Sequence, residues 1–348
     1  MSVDWRQKLA ARAKRGRSRN PGAASAPRVG VVTDSTAALP DGWAESAAVT
    51  DLVRVVPMPV MIGDQIYGEG TDRMIGALAL ALAQGSEVRT SRPSPGKFEA
   101  AYAELAAAGC SAIISLHLSA HLSGTVDSAR LAARTAPVPV TVIDTASVAM
   151  GLGFAVAAAA EEARDGGSAT SVEAAARAAT ASSTLLFYVP SLEQLRRGGR
   201  IGAAAGWLGT LFAVKPILVV REGKVVPLER VRSAPRALAR LTELVQQEIA
   251  ARSGRVRVAV HHFGNEAEAE RLAGAIAGDA PDAELMICSL PAVLAAHAGL
   301  GVLAVAVVGT VTDPAALPAG PVPPPDAAGT SSGTTTGTPP VTQPETRA

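Results

Sequence analysis

Aromatic residues are scarce in this chain, which has five phenylalanines, three tyrosines and three tryptophans among 348 residues. Any internal cavity is therefore expected to be lined mainly by aliphatic side chains. Cysteine is scarcer still, since Cys110 and Cys288 lie far apart without a CxxC spacing or a histidine-rich neighbourhood. This pattern argues against a disulfide framework and against a metal site, and it favours a reducing, cytoplasmic environment.

Charge of one sign is not in excess, because 32 Lys and Arg face 31 Asp and Glu. The formal net charge of +1 creates no overall field that would attract nucleic acid or an anionic membrane. Long apolar runs are also missing, since the nearest candidate, residues 294–308, is short and is interrupted by His297 and by glycines. We expect no nucleic-acid partner and no stable membrane insertion.

The two ends of the chain differ in composition from the middle. Seven Lys and Arg lie between residues 6 and 19 without the apolar segment of a secretory signal. We predict a flexible basic arm at residues 1–28, with contact to nucleic acid or to a membrane surface as the alternative. Residues 313–348 are rich in Pro, Thr, Ser, Gly and Ala and lack aromatics, which predicts a disordered tail.

Between these ends, short β-branched runs alternate with alanine-rich stretches, which predicts a parallel sheet covered by helices. The predicted strands of the first half are residues 29–33, 52–60, 112–116 and 138–143, and its helices are 73–82, 95–108, 126–134 and 148–164. The second half repeats the alternation with strands at 185–189, 216–220, 224–231, 256–261, 284–288 and 303–308, and helices from 170 and at 191–197, 234–251 and 266–277. A β-hairpin is predicted around Glu222-Gly223. We predict two α/β domains, 29–167 and 168–312.

Polar residues follow several predicted strands, where open α/β sheets place their ligand crevices. Asp34 and Ser35 come directly after the first strand, although either could simply cap a turn. Thr90 and Ser91 precede a proline-fixed turn, where their hydroxyls face either a ligand or solvent. Ser94 is the predicted N-cap of the helix that follows.

A third polar cluster, residues 119–125, lies between a strand and an alanine-rich helix. The start of a helix presents unpaired N–H groups and the positive end of its dipole, which together favour an anion. Ser123 and adjacent amides would bind a carboxylate there, and Gly124 would let a ligand approach the backbone. The alternative is that Ser123 is an ordinary N-cap. Near the chain's end, His297 is either a ligand contact or a structural histidine.

Taken in chain order, these clusters and several neighbours resemble the DegV family. The matching segments are Val32-Thr33-Asp34-Ser35-Thr36, Thr90-Ser91-Arg92-Pro93-Ser94, Leu122-Ser123-Gly124-Thr125, Val142-Ile143-Asp144-Thr145, Gly198-Gly199-Arg200-Ile201, Lys215-Pro216-Ile217 and Ala296-His297-Ala298-Gly299. Each segment is weakly specific alone, but seven in order are not. The resemblance covers roughly residues 29–309.

The resemblance implies two α/β domains of DegV type with a lipid-binding cleft between them. It implies a binding protein rather than an enzyme. This binding protein would hold one long-chain fatty acid and need no cofactor. The resemblance also implies a partner, a dihydroxyacetone-kinase-like fatty-acid kinase that phosphorylates the carboxylate to an acyl phosphate. The implied carboxylate ligands are Thr90, Ser123 and His297, and the additional cleft candidates are Asp34, Ser35, Ser91, Gly124 and Thr125. Arg200 and Arg232 match basic positions that would dock the kinase.

The chain departs from the family pattern at four positions, where it has Ala120, Val126, Ala298 and Arg92. These departures leave the fold prediction intact and affect the geometry of the head-group site. We expect a charge-neutral donor set, because a buried arginine would hold the carboxylate by about 1.5 to 3 kcal/mol per charged hydrogen bond and oppose handover.

Two other function classes compete with a carrier. An enzyme, kinase-like or hydrolase, would use Asp34, Ser123 and His297 as acid, nucleophile and base. Its weakness is that no nucleotide loop, metal cluster or nucleophile elbow is visible in the sequence. A DNA-binding regulator would act through the basic arm, but no helix-turn-helix with a basic face stands out.

Overall fold

The computed structural model describes residues 28–46, 49–67, 72–202 and 215–311. Its strands are β1 (Arg28–Asp34), β2 (Val53–Val56), β3 (Val60–Ile62), β4 (Gln65–Tyr67), β5 (Val88–Thr90), β6 (Cys110–His117), β7 (Val140–Asp144), β8 (Thr184–Tyr188), β9 (Lys215–Arg221), β10 (Lys224–Val231), β11 (Arg252–His262), β12 (Glu284–Ser289) and β13 (Leu303–Val311). Its helices are α1 (Asp72–Ala83), α2 (Pro95–Ala107), α3 (Thr125–Ala133), α4 (Met150–Arg164), α5 (Ala169–Ala181), α6 (Glu193–Arg197), α7 (Ala234–Ala250), α8 (Glu266–Asp279) and α9 (Ala292–Ala298). The predicted tail, and the predicted arm apart from Arg28, lie outside the described residues.

Four strands form a parallel sheet in the order β2-β1-β6-β7. Every residue of β1 after Arg28 is buried, which is the pattern of a parallel strand covered on both faces. Thr33 pairs in register with Leu116, and His117 pairs with Asp144. The polar residues that follow β1, β6 and β7 therefore share one edge of this sheet, as the sequence predicts.

The single strand predicted at residues 52–60 is wrong, because the chain forms β2 and β3 with a break between them. Pro57 and Pro59 occupy the break and have no N–H group to contribute to a ladder. Beyond the break, β3 lies between β4 and β5 in a small antiparallel sheet, where Val60 pairs with Thr90. The sequence gives little signal for β4 and β5, which have only three residues each.

The second large sheet is mixed, with the strand order β10-β9-β8-β13-β11-β12. Only the β11–β12 pair is parallel, so the expectation of a parallel sheet is wrong for this half. The reason is that β13 lies between β8 and β11 and runs antiparallel to both. The predicted hairpin is confirmed, and its turn residues Glu222 and Gly223 both have positive φ, as a two-residue turn requires.

Helix α4 joins the two large sheets into one core. It is apolar on all sides over most of its length, which is typical of a helix buried within a protein. It contacts β1 and β6 of the parallel sheet and β8 and β13 of the mixed sheet. A continuous apolar core includes Val31 from the first sheet and Ala304 from the second, while α7 and α8 cover the opposite face of the mixed sheet. The α/β fold is confirmed, and the division at residues 167 and 168 stays a prediction.

No helix in the described part of the chain combines the length and the apolarity needed to cross a bilayer.

Candidate functional site

A pocket lies between the two large sheets and has about 820 Å³ of empty space, its open mouth included. Most of the lining residues are aliphatic, as expected, and Phe187 is the one Phe, Tyr or Trp among the described lining residues. The polar lining residues are Thr36, Thr90, Ser91, Arg92, Ser123, Arg200 and His297.

Thr90 and His297 are hydrogen bonded to each other in the pocket wall. Thr90 is the last residue of β5, and His297 lies in the last turn of α9. The Thr90 hydroxyl oxygen is 2.8 Å from Nε2 of His297. The structure thus brings together two of the three residues that were predicted to bind a carboxylate.

The other ring nitrogen of His297, Nδ1, is buried and has no hydrogen-bond partner among the described residues. Burial and, secondarily, the positive charge of Arg200 lower the pKa of His297 to about 4. The imidazole is therefore neutral near pH 7. Glycine is required at position 198, because a Cβ atom there would lie 2.2 Å from Nδ1 of His297.

Ser123 also lines the pocket, immediately before α3. The N-cap of α3 is Gly124, so the interpretation of Ser123 as an ordinary N-cap is wrong. Its hydroxyl oxygen lies 2.9 Å from that of Thr125, whose side chain is buried. The first N–H groups of α3 and the positive end of its dipole lie beside this hydroxyl pair.

Two guanidinium groups line the pocket, so its wall is not the charge-neutral donor set that the sequence analysis expected. Arg200 donates from Nε to the carbonyl of Leu122 at 3.0 Å and from Nη1 to the carbonyl of Gly198. Arg92 is exposed and packs on Gly124, where a Cβ atom would be 2.5 Å from its Nη1. Within the described ranges, neither guanidinium has a carboxylate partner. The open space at Gly124 is thus filled by Arg92 rather than left for a ligand.

Asp34 lies behind the pocket wall in a fully buried polar network. Its carboxylate is 2.9 Å from Nδ1 of His117, and it accepts hydrogen bonds from the N–H of Leu118 and from the N–H and hydroxyl of Thr36. Asp34 therefore caps the turn Ser35–Ala37, as the capping alternative proposed. Nε2 of the same imidazole lies 2.7 Å from the Ser115 hydroxyl oxygen.

The remaining cleft candidates are also placed by the structure. Ser91 lines the pocket, whereas Asp34, Ser35, Gly124 and Thr125 are not part of its wall. The Ser35 hydroxyl instead accepts a hydrogen bond from the N–H of Met58 at 3.0 Å. These four positions lie next to residues of the wall, and a role for them in ligand binding stays a prediction.

The enzyme alternative requires Asp34, Ser123 and His297 to act as one hydrogen-bonded unit. The structure instead pairs Asp34 with His117, Ser123 with Thr125 and His297 with Thr90. No proton relay therefore joins these three side chains. Within the described ranges, no group of His, Cys, Asp and Glu side chains is arranged to hold a metal ion.

The β9–β10 hairpin closes one side of the pocket. Val220 and Val225, on either side of the hairpin turn, line the cavity. The buried Ser119 hydroxyl donates to the carbonyl of Gly223 in that turn at 2.7 Å. This bond ties the mixed sheet to the loop that carries Ser123, a contact that the sequence did not predict.

Much of the apolar wall was not predicted from the sequence. Val293 and Leu294 reach the pocket from α9, a seven-residue helix that was not predicted. Pro291 before an apolar run is a signal for a helix start and could have identified it. The contact between Arg92 and Gly124 was not predicted, because nothing local in the sequence shows where the arginine side chain ends.

Comparison with known proteins agrees with this architecture. The profile of a family described as "Uncharacterised protein, DegV family" matches residues 28–310. The chain belongs to the DegV family. A DegV domain-containing protein of Streptomyces coelicolor is 45% identical over 280 residues, which are 80% of this chain and 98% of that relative. A DegV domain-containing protein of Mycobacterium tuberculosis is 35% identical over 279 residues, or 80% and 96% of the two chains.

Solved DegV structures share the fold. A DegV family protein from Thermus thermophilus, described by its fatty acid binding, superposes with a TM-score of 0.75 at 33% identity and covers 81% of this chain and 99% of its own. DegV from Bacillus subtilis, described as a fatty acid binding protein, gives a TM-score of 0.73 at 28% identity, with 82% and 100% covered.

Proposed function

We propose that this DegV chain is a carrier that binds one long-chain fatty acid, with the acyl chain in the pocket and the carboxylate at its polar end. The observation that carries the proposal is an aliphatic cavity with two guanidinium groups that have no carboxylate partner within the described ranges. Apolar walls favour an alkyl chain through burial, and the uncompensated positive charge favours an anionic head group.

Five of the polar lining residues are linked through shared neighbours and define one end of the cavity. Ser123 lies between Leu122, whose carbonyl binds Arg200, and Gly124, on which Arg92 packs. Arg200 also binds the carbonyl of Gly198, the residue that lies against His297. The hydroxyls of Thr90 and Ser123, the imidazole of His297 and both guanidiniums are thus neighbours in a single cluster.

This cluster suits a carboxylate chemically. Two hydroxyls can each donate one hydrogen bond, and a charge-assisted bond from a guanidinium is stronger than a neutral one. His297 is neutral and holds one ring proton. With that proton on Nε2, the imidazole donates to the Thr90 oxygen, so the Thr90 hydroxyl can donate to the carboxylate. The relatives described as fatty acid binding proteins support the same assignment.

A direct test is the displacement of a fluorescent fatty acid from the delipidated protein. We expect palmitate and oleate to displace the probe at one equivalent, while the methyl esters displace it less well because they lack the anion. Displacement by nucleotides instead, or no probe binding to the wild-type protein, would contradict a fatty-acid carrier.

We further propose that the carrier presents its carboxylate to a fatty-acid kinase of the dihydroxyacetone-kinase-like type. The support is that Arg92, at the polar end, is exposed, so this end of the pocket is open to a second protein. Arg232 is the better docking candidate of the two family-matched arginines. It is exposed between β10 and α7, whereas Arg200 is engaged by two carbonyls in the pocket wall.

The handover is tested with a purified fatty-acid kinase, ATP and the loaded carrier, with the acyl phosphate trapped by hydroxylamine. Arg232→Gln is expected to lower the rate of acyl-phosphate formation while fatty-acid binding stays unchanged. Arg177→Gln removes an exposed arginine that pairs with Glu173 on α5 and serves as the matched control. Equal rates for all three proteins would exclude Arg232 from docking, and no product with any of them would exclude the kinase.

A further inference from the structure

We infer that Arg92 is a specificity-determining residue that forms an ion pair with the carboxylate of the bound fatty acid, and that Gly124 is required for its placement. The inference rests on the proposed function, since it names a residue of that same site. It adds an ionic contact to a head-group site for which the family resemblance implies Thr90, Ser123 and His297.

The position of Arg92 follows from the local chain. Arg92 lies in the pocket wall, in the short segment between the end of β5 at Thr90 and the start of α2 at Pro95. Pro93 restricts the backbone of this segment. The side chain of Arg92 extends to the start of α3. There, an ideal Cβ on Gly124 would lie 2.5 Å from Nη1 and 3.2 Å from Cδ of Arg92. Glycine at 124 is therefore explained by the space that Arg92 needs. Its backbone conformation does not require glycine, since a φ of −74° is one that any residue adopts.

The charge of Arg92 is not used elsewhere in the described part of the chain. Glu87, five residues before Arg92, already pairs with Arg89. Asp127, three residues after Gly124, already pairs with Arg130. No carboxylate within the described ranges pairs with Arg92. A guanidinium held against a helix start, beside the Ser123 hydroxyl, can therefore pair with an anion that the pocket receives.

Arg92 is better suited to this contact than Arg200. The Nε and Nη1 atoms of Arg200 already donate to two backbone carbonyls, so this side chain presents at most a part of its donor fork. Arg92 makes no hydrogen bond within the described residues, and its planar fork matches the two oxygens of a carboxylate. Arg200 contributes to the positive electrostatic potential of the pocket, while Arg92 forms the ion pair with the carboxylate.

The contact has two measurable consequences. First, the wild-type protein should distinguish a fatty acid from its methyl ester more strongly than a variant without the charge. Second, because Arg92 is exposed, the ion pair should weaken as salt screens it. Both consequences depend on charge, so a role for Arg92 in packing alone would produce neither.

The experiment compares the affinities of palmitate and methyl palmitate for wild type, Arg92→Gln, Arg92→Lys and the control Arg177→Gln, at low and high salt. We expect Arg92→Gln to bind palmitate about three- to tenfold more weakly at low salt and methyl palmitate as wild type does. Arg92→Lys should keep part of the palmitate affinity. Gly124→Ala displaces the guanidinium and should weaken palmitate binding about as much as Arg92→Gln does. In a double variant with Arg92→Gln, it should weaken palmitate binding little further.

Equal losses for palmitate and methyl palmitate would assign Arg92 to packing and overturn the inference, as would unchanged palmitate affinity in Arg92→Gln. In either case, palmitate binding by the wild-type protein would still support the proposed function. Failure of the wild-type protein to bind palmitate would overturn both.

Discussion

The hydroxyl of Thr90 lies 2.8 Å from Nε2 of His297, a residue 207 positions later in the chain. This bond joins the small antiparallel sheet to α9 at the polar end of the pocket. It fixes one nitrogen of a neutral imidazole and leaves the other, Nδ1, buried without a partner among the described residues. Two segments that are far apart in the chain therefore form one wall of the proposed head-group site.

Thr90→Val tests this relationship with a nearly isosteric change. Loss of the hydroxyl removes both a donor for the carboxylate and the partner of His297. We expect palmitate affinity to fall by about 1 to 2 kcal/mol in free energy of binding, with Thr90→Ser close to wild type. Calorimetric titration measures both variants. A threonine hydroxyl that is irrelevant to the ligand would give Thr90→Val the wild-type affinity.

Ser123→Ala removes the hydroxyl beside the start of α3. Because a buried carboxylate would be left short of a donor, we expect fatty-acid retention to weaken by about 1 to 3 kcal/mol without unfolding of the protein. The matched control is Ser94→Ala, since Ser94 is an exposed N-cap whose side chain makes no capping hydrogen bond. Dissociation rates of a fluorescent fatty acid distinguish the two variants, and identical rates would remove Ser123 from the site.

Asp34→Ala should act on stability rather than on ligand chemistry. The change leaves Nδ1 of His117, the N–H of Leu118 and the Thr36 hydroxyl without their acceptor in a fully buried region. We expect a loss of about 3 kcal/mol or more in the free energy of unfolding, measured in urea. Asp127→Ala, at an exposed ion pair, should cost less than about 1 kcal/mol. A stable Asp34→Ala protein would show that the buried network is dispensable.

His261 should make stability depend on pH. Burial lowers its pKa to about 4, and its Nε2 accepts a hydrogen bond from the N–H of Met150 at 3.2 Å. Between pH 6.5 and 4 the unfolded chain binds a proton at this residue and the folded protein does not, so the free energy of unfolding falls as pH falls. The slope approaches about 1.4 kcal/mol per pH unit. Urea titrations at pH 5 to 7 should show a shallower slope for His261→Gln, and an unchanged slope would be the contrary result.

The fold could largely be predicted because its elements have strong local patterns. The apolar run of β1 predicts a buried strand, and the long apolar run of α4 predicts a buried helix. Glu222-Gly223 predicts a hairpin turn. The order of strands in the mixed sheet could not be predicted, since the placement of β13 between β8 and β11 depends on contacts between distant segments. The three-residue strands β4 and β5 are too short to carry a pattern.

The candidate site could be predicted in part. Thr90, Ser123 and His297 all line the pocket, but Asp34 and Thr125 lie behind its wall. A hydroxyl or carboxylate after a strand looks the same in sequence whether it faces a ligand or a buried partner such as His117. The guanidiniums of Arg92 and Arg200 were not predicted as pocket walls, because only the folded chain shows where long side chains end.

Native mass spectrometry of the protein purified without added lipid tests the central claim most directly. The account predicts one equivalent of a long-chain fatty acid bound to the wild-type protein and reduced occupancy in Ser123→Ala. A protein that carries no lipid, even after incubation with palmitate or oleate, or one that carries a stoichiometric nucleotide, would contradict it.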